Sequence, residues 1–151
     1  MSPPLAANPK SDRQIWMGLL ARADANGLAE LFPDLPEHSQ LRPPQVGSVM
    51  VRGRIGGIGQ PFNLGEVTVS RCSIKLVTGE VGHAHVQGRC KKHALHAAVI
   101  DALMQTVRAD DLHAQVLAPL AKSEAAHRAT RAAKAAATRV EFFTLVRGED
   151  Q

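Results

Sequence analysis

Glycine and arginine are concentrated in one short stretch of the chain, residues 52–65, which reads RGRIGGIGQPFNLG. Backbone N–H groups beside glycine can approach a phosphate or carboxylate closely, and arginine binds such anions bidentately. The stretch could therefore hold an anion, with Arg54 at its entrance and Gly56, Gly57 and Gly59 shaping the backbone. The alternative is a long hairpin connection in which the glycines only supply positive φ angles. Both interpretations predict a loop between two strands.

A second group of cations lies where a predicted strand ends and a predicted helix begins. Arg89, Lys91 and Lys92 precede or begin that helix, where its dipole is already positive, so each charge costs about 0.3 to 1 kcal/mol unless an anion binds nearby. A solvated helix start is the alternative. From both stretches we predict one surface that faces an anion or a partner, formed by Arg54, Arg71, Arg89, Lys91 and His93.

Metal and nucleophile chemistry are weakly represented in this sequence. Six imidazole and thiol groups that could in principle hold zinc lie within 25 residues of one another: Cys72, His83, His85, Cys90, His93 and His96. No CxxC or HxxxH spacing links them, so we predict no metal site among them. Cys90 could act as a nucleophile only beside a base. Asp101 is the single carboxylate of the central helix and could anchor an arginine as readily as do chemistry. No complete active site is predicted.

The elements that must position these residues are predicted helices at the start of the chain, followed by predicted strands. Ser11 is a good N-cap for a helical arm over residues 12–31, which Asn26-Gly27 should break into two helices. Trp16 in that arm is expected to be a packing or interface anchor. Prolines between residues 33 and 44 exclude a central strand and predict a connection.

Alternating apolar residues then predict strands at 46–55, 66–77 and 81–88, the last two forming a hairpin around Thr78-Gly79-Glu80. With Arg71 and Lys75 on its polar face, this hairpin is expected beside the strand of Arg52 and Arg54, which would concentrate positive charge on one surface. Leu95, Val99 and Leu103 recur at helical spacing in the best helix of the chain. A further helix from about residue 110 should be kinked or divided at Pro119.

The last predicted strand, residues 139–148, is apolar on both faces, and its Phe142 and Phe143 are expected at an interior or at a partner interface. Together the patterns predict an α+β fold: a mainly antiparallel sheet of about four strands, an N-terminal helical arm, and two or three helices packed on one side. We expect a disordered start at 1–10, a single domain at 11–148 and a tail at 149–151.

Composition restricts the partners of this chain. The net charge of +4 favours anionic ligands or acidic partners without reaching the excess typical of chromatin proteins. Aromatic residues make up only 3% of the chain, so its core must rely on small aliphatic residues, and part of its stability is expected to come from a partner. The sequence shows no secretion signal and no membrane span, and its two cysteines indicate a reducing, cytoplasmic setting.

Several ordered blocks of this sequence resemble the PhnG family of the phosphonate carbon-phosphorus lyase system. They are RIGGIGQPFNLGEVTVSR at 54–71, GRCKKHA at 88–94, IDALMQ at 100–105 and VEFFTLVRG at 140–148, preceded by Arg13 and Trp16. The resemblance covers the chain from about residue 12. His83, His85 and Cys90 are not features of the family pattern, which argues further against a metal site.

The resemblance implies a subunit of a core complex with PhnH-, PhnI- and PhnJ-like proteins, with the PhnI-like subunit as the main contact. Such a complex forms α-D-ribose 1-methylphosphonate 5-triphosphate from methylphosphonate and MgATP, which is a substrate and not a cofactor of this chain. The implied role of the chain is structural or assisting, with no catalytic residue assigned.

A different class of function is a stand-alone nucleic-acid-binding module that uses the basic sheet. This alternative is weakened by the lack of aromatic residues placed to stack on bases, so no nucleic-acid partner is expected.

Overall fold

The structure, a computed structural model, describes residues 10 to 139. Within this range two short helices are followed by three strands and a helical C-terminal half. The predicted disordered start (apart from Lys10), residues 140–148 of the predicted last strand with Phe142 and Phe143, and the tail lie outside the described residues.

The helical arm consists of α1 (Asp12–Arg22) and α2 (Ala25–Leu31). Ser11 caps α1 as predicted: its side chain accepts from the N–H of Gln14, and the Gln14 side chain accepts in return from the N–H of Ser11. The predicted break at Asn26-Gly27 is misplaced, because Asp24 is the N-cap of α2 and accepts from the N–H of Gly27 at 2.8 Å. Asn26 and Gly27 therefore lie inside α2.

The sheet is antiparallel, with order β1 (His38–Arg54), β2 (Pro61–Leu76) and β3 (Val81–Gln87). Its hairpin between β2 and β3 is the predicted one, with Gly79 at φ 110° in the turn. The described residues contain three strands where about four were predicted. The fold class, α+β with an antiparallel sheet, is confirmed.

The proline-rich connection was predicted to run to residue 44, but β1 already begins at His38. Pro43 and Pro44 are tolerated because β1 is an edge strand and its pairing is irregular here, with register shifts between Gln40 and Arg42 and between Arg42 and Gln45. A missing N–H donor on a strand edge, or beside a bulge, leaves no ladder bond broken.

Strands β1 and β2 are much longer than β3, which pairs only with Val69 to Lys75 of β2. Beyond that limit β1 and β2 pair with each other alone, from Ser48 opposite Thr68 to Arg54 opposite Pro61. We call residues 48–68 the ribbon. A short 3-10 turn, Ile55–Gly57, lies at its tip.

The core surrounds α3 (Lys91–Leu103), the helix predicted from Leu95, Val99 and Leu103, which packs on one face of the sheet and on buried residues of α1, α2 and the C-terminal helical half. Alternate residues of β2, among them Cys72 and Ile74, are buried against the alanines of α3. Gly82 of β3 permits the close approach: a Cβ at this position would lie 1.9 Å from the carbonyl oxygen of Ala98. The small side chains of α3 thus bring helix and sheet into near backbone contact.

The C-terminal helical region contains α4 (Ala109–Leu112), a π-helical turn (His113–Leu117) and α5 (Ala118–Ala137). Pro119 lies in the first turn of α5, where its missing N–H is tolerated. The residues on both sides of the junction between the π-helical turn and α5, Leu117 and Ala118, keep helical dihedral angles, so the predicted division at Pro119 is wrong. The departure from α-helical geometry is the π-helical turn that ends just before this proline. Only Leu120 of α5 is buried. Most of this helix is consequently exposed.

Candidate functional site

The carboxylate of Asp101 in α3 is fully buried and accepts four hydrogen bonds. Arg13 donates from Nε to Oδ1 at 3.1 Å and from Nη2 to Oδ2 at 2.7 Å. Trp16 Nε1 donates to Oδ1 at 2.9 Å, and the backbone N–H of His83 donates to Oδ2 at 2.9 Å. A buried carboxylate is stable only with such compensation. Asp101 therefore joins α1 and β3 to α3, which is the anchoring role that its sequence position allowed.

Arg13 and Trp16 act from α1 because they are three residues apart and share a helix face. The hydrogen bond to Asp101, supported by its charge, raises the pKa of Arg13 above its ordinary value. Trp16 is half-buried, packs on the core, and has a charged partner that the sequence did not reveal. It is an anchor within the chain, and its predicted role at a partner interface remains a prediction.

His93 is not part of an exposed cationic surface. It is buried, with 6% of its area accessible, and its Nε2 lies 2.7 Å from the carbonyl oxygen of Leu20. The ring therefore fastens the end of α1 to the start of α3. This burial corrects the prediction that His93 faces an anion or a partner. His93 lies on the side of α3 that faces the interior of the chain.

The glycine-rich stretch forms the tip of the ribbon and not a long loop. Gly56 and Gly57 have φ angles of 59° and 82°, which other residues rarely adopt. A Cβ on Gly59 would lie 2.6 Å from the carbonyl oxygen of Ile55. Arg54 Nη1 donates to the carbonyl oxygen of Gly59 at 3.1 Å and closes the turn. The glycines thus have conformational roles that the hairpin interpretation predicted.

The predicted basic surface is divided into two regions. Arg54 pairs with Pro61 at the tip, whereas Arg71 pairs with Gln45 on one side and His85 on the other, within the three-stranded part. Arg71 lies ten positions after Pro61 in β2, a distance of about 33 Å at the usual rise of a strand. The strand of Arg71 and Lys75 does lie beside the strand of Arg52 and Arg54, as predicted, but the register keeps the two pairs of cations apart, so the expected concentration of charge on one surface is wrong. Arg89 and Lys91 are exposed near the end of β3, in the part of the molecule that also holds Arg71.

The sheet face away from α3 is polar and holds several cationic or titratable groups. Ser73 Oγ and His83 Nδ1 are 2.9 Å apart on neighbouring strands. The guanidinium of Arg71 lies over Gly47, where a Cβ would be 3.2 Å from its Nη2. Arg71 Nε is buried without a hydrogen-bond partner. This face is the part of the described molecule where a further acceptor would satisfy an arginine.

The two thiols lie in different environments. Cys72 is buried, donates to the carbonyl oxygen of Arg42 at 3.5 Å, and has a pKa raised by burial, so it is a packing residue. Cys90 is half-buried at the N-cap of α3. Among residues 10 to 139 no group of three or more histidine, cysteine or acidic side chains is placed to hold a metal ion.

A cleft of about 1140 Å³ separates α5 from α2 and β3. Arg22 donates to Glu124 across it at 2.6 Å, and Arg128 reaches the same carboxylate at 3.3 Å. The hydrogen bond from Arg22 is the main cause of the lowered pKa of Glu124, and both cations add to it. The cleft is not lined by Arg54, Arg71, Arg89 or Lys91.

The exposed apolar side chains of the ribbon are candidate functional residues that the sequence patterns did not predict. Met50, Ile55, Ile58, Phe62 and Leu64 are all more than two-fifths exposed. The sequence signal for them is the presence of six large apolar residues, Val51 included, in residues 50–64, which also hold four glycines. A buried loop would need fewer glycines, and an ordinary exposed loop would have fewer apolar residues.

The fold and the placement of the polar and apolar residues indicate a general class of protein. The buried Asp101 and His93 hold the fold together, while the exposed arginines and apolar residues lie on surfaces, as in a protein with interaction surfaces. No helix among the described residues is long and apolar enough to cross a membrane.

Comparison with known proteins identifies the family. Residues 11–148 match the family model described as phosphonate metabolism protein PhnG, and the chain belongs to this family. A relative from Rhizobium meliloti (strain 1021), the alpha-D-ribose 1-methylphosphonate 5-triphosphate synthase subunit PhnG, is 48% identical over 147 residues. The alignment covers 93% of this chain and 92% of that relative. The resemblance found in the sequence blocks is therefore confirmed.

Proposed function

We propose that this chain is a subunit of an α-D-ribose 1-methylphosphonate 5-triphosphate synthase in phosphonate catabolism. The observation that carries the proposal is the 48% identity to a subunit of that name over nearly the whole of both chains. Nothing among the described residues favours the nucleic-acid-binding alternative. In the proposed reaction MgATP is a substrate of the complex, and the chain itself needs no cofactor.

The proposed role of the chain is to assemble and support the synthase. Asp101 and His93, which would be the first candidates for acid-base chemistry, are occupied by Arg13 and Trp16 in one case and by Leu20 in the other. A residue that fastens two helices together cannot also move with a reacting proton without loosening the fold. The contribution of this chain to the reaction is accordingly made through its surface.

The proposed partners are a PhnI-like subunit as the main contact and PhnH- and PhnJ-like subunits in the same core complex. We infer the cytoplasm as the compartment, since ATP is available there and both cysteines are free. The residues proposed to face an anion or a partner in the three-stranded part are Arg71, Arg89 and Lys91. Arg54 and the glycines Gly56, Gly57 and Gly59 are proposed to do so at the ribbon, and Trp16, Phe142 and Phe143 remain proposed interface residues.

The test is co-expression of this chain, carrying an affinity tag, with the other three subunits. We expect the tag to retain the PhnI-like subunit, and omission of this chain to abolish formation of the 5-triphosphate product as followed by phosphorus NMR. Failure of the full-length chain to retain any of the three subunits would overturn the proposal.

Arg89→Glu is the most informative single substitution, because Arg89 is exposed and Arg71 also packs on Gly47. Reversal of one interface charge is expected to lower assembly or product formation about tenfold or more. Lys122→Glu, an equal reversal on the exposed face of α5, is the matched control. Unchanged assembly and activity in Arg89→Glu would remove Arg89 from the proposed surface.

A further inference from the structure

The ribbon, residues 48–68, is a two-stranded extension with no covering element among the described residues. β3 stops at Gln87 opposite Val69, and α3 packs on the three-stranded part of the sheet. An isolated two-stranded hairpin is marginally stable in water and normally needs a third strand or a helix against it. The ribbon therefore lacks the packing that its length requires.

The tip of the ribbon is apolar and exposed. Ile58, Ile55 and Leu64 expose 94%, 68% and 66% of their surface, and Met50 and Phe62 about half of theirs. Exposed apolar residues scattered singly are ordinary, but five within fifteen residues at one projecting end form a patch of the kind that marks an interaction site.

The tip is also built to one shape. The positive φ angles of Gly56 and Gly57, the tight contact of Gly59 with Ile55, and the hydrogen bond from Arg54 define the turn. Next to the turn, the ring of Phe62 covers its cross-strand partner Gly53, where a Cβ would be 3.5 Å from two ring carbons. A surface that is ordered before binding loses less entropy on association.

The charge of the ribbon indicates the chemistry of its partner. Residues 49–65 contain Arg52 and Arg54 and no acidic residue. The nearest carboxylate, Glu66, accepts a hydrogen bond from Ser48 at 3.1 Å at the base of the ribbon. A matching surface would be apolar at its centre and acidic at its rim.

We propose that the ribbon is a docking arm, which inserts its apolar tip into an apolar, acid-rimmed groove on another subunit of the synthase. The inference rests on the proposed function, because it takes its partner from the same complex. It assigns the glycine-rich stretch to protein recognition, with the arginines facing carboxylates of the partner. The interaction differs from an anion cradle, which would leave Ile55, Ile58 and Leu64 in water.

The experiment compares two variants of the full-length chain. Ile58→Asp combined with Leu64→Asp changes side chains that are mostly exposed, so the free chain should keep its circular dichroism and urea midpoint. Val107→Asp, at a fully exposed valine between α3 and α4, is the matched control. Each tagged variant is co-expressed with the other synthase subunits, and its affinity for the retained complex is measured.

We expect the double variant to bind at least tenfold more weakly, or not at all, and the control to bind as the wild-type chain does. Arg52→Glu should also weaken binding, and the loss should diminish at high salt. Equal binding by the wild-type chain and the double variant would overturn the docking arm while leaving the proposed function intact. An equal loss in the Val107→Asp control would also overturn it, because the effect would not be local to the ribbon.

Two outcomes concern the identity of the partner. If the wild-type chain alone forms dimers that the double variant cannot form, the ribbon binds a second copy, and the partner proposed here is wrong. If the wild-type chain retains no synthase subunit, the proposed function fails and the docking arm fails with it.

Discussion

At the scale of single residues, the strongest structural feature is Asp101 with its four donors. The donors reach it from Arg13, Trp16 and His83, which are 88, 85 and 18 positions away in the chain. The members of such a buried group depend on one another, because the removal of one charge leaves the opposite charge without a partner. Arg13 and Trp16, which belong to the sequence pattern of the family, thereby acquire a physical role in closing the helical arm onto the core.

Asp101→Asn is predicted to lower the free energy of unfolding by about 3 kcal/mol, because the amide offers one acceptor oxygen and turns an N–H₂ group towards existing donors. Urea denaturation at neutral pH measures this loss. Asp34→Asn, at an exposed position after α2, is the control and should change stability by no more than about 0.5 kcal/mol. Similar effects of the two substitutions would contradict the buried anchor.

At the scale of elements, the packing of β3 on α3 depends on one glycine and several alanines. The Cβ of a residue at position 82 would approach the carbonyl oxygen of Ala98 and the N–H nitrogen of Ala102, at 1.9 and 2.7 Å. Both are helix backbone atoms that cannot move aside without bending α3. A chain with few aromatic residues thus gains contact area by close approach and not by large side chains.

Gly82→Ala is therefore predicted to destabilise the chain by about 3 kcal/mol or more, or to prevent its folding. Gly65→Ala is the matched control in the same sheet, since a Cβ there would meet nothing within 4 Å. The control should stay within about 0.5 kcal/mol of the wild type in urea denaturation. A mild effect at position 82 would show that α3 and β3 pack less closely than the structure indicates.

Helix α5 is held to α1 by an ion pair whose strength depends on pH. Arg22 lowers the pKa of Glu124 below the ordinary value of 4.5, so the ion pair stabilises the fold fully above that pH. The contribution is lost as the pH falls through the lowered pKa of the folded state. Because the pair is partly exposed, its contribution is only about 0.2 to 1 kcal/mol.

The stability difference between the wild-type chain and Glu124→Gln is predicted to be present at pH 6 and to shrink as the pH falls below 4.5. Thermal or urea denaturation of both chains across this range provides the measurement. Arg131→Gln, a charge removal further along α5, serves as the control. A difference that grows on acidification would have the wrong sign for a carboxylate stabilised in its charged form.

At the scale of the whole molecule, stability is distributed unevenly. The core is concentrated where β2, β3 and α3 meet, whereas the ribbon and most of α5 contribute few buried residues. Regions with little buried apolar surface open at lower free energy than the core does. The free chain thus combines a well-packed centre with two extensions that bury little apolar surface of their own.

Amide hydrogen exchange of the free chain is predicted to be at least tenfold faster at residues 49–54 and 62–67 than at Cys72, Ile74 and Ala84 of the core. In the assembled synthase the ribbon amides should become protected and the core amides should change little. Exchange rates in the free chain that do not distinguish ribbon from core would show that the ribbon is already stabilised without a partner.

Much of the local structure followed from the sequence because its causes are local. The cap at Ser11, the turn at Thr78-Gly79-Glu80 and the helical spacing of Leu95, Val99 and Leu103 each depend on residues a few positions apart. The same holds for the α+β class and for the membership of the PhnG family, which depends on ordered blocks of residues along the chain.

Only the tertiary structure decided which of these residues meet. Strand pairing separated Arg54 from Arg71, which are close in sequence and similar in chemistry, because an extended strand carries its residues apart by about 3.3 Å each. Helix packing buried His93 and gave Asp101 its partners, since those contacts join distant segments. The prolines of β1 were accepted at a sheet edge for the same reason: whether an N–H is needed depends on the neighbouring strand and not on the residue itself.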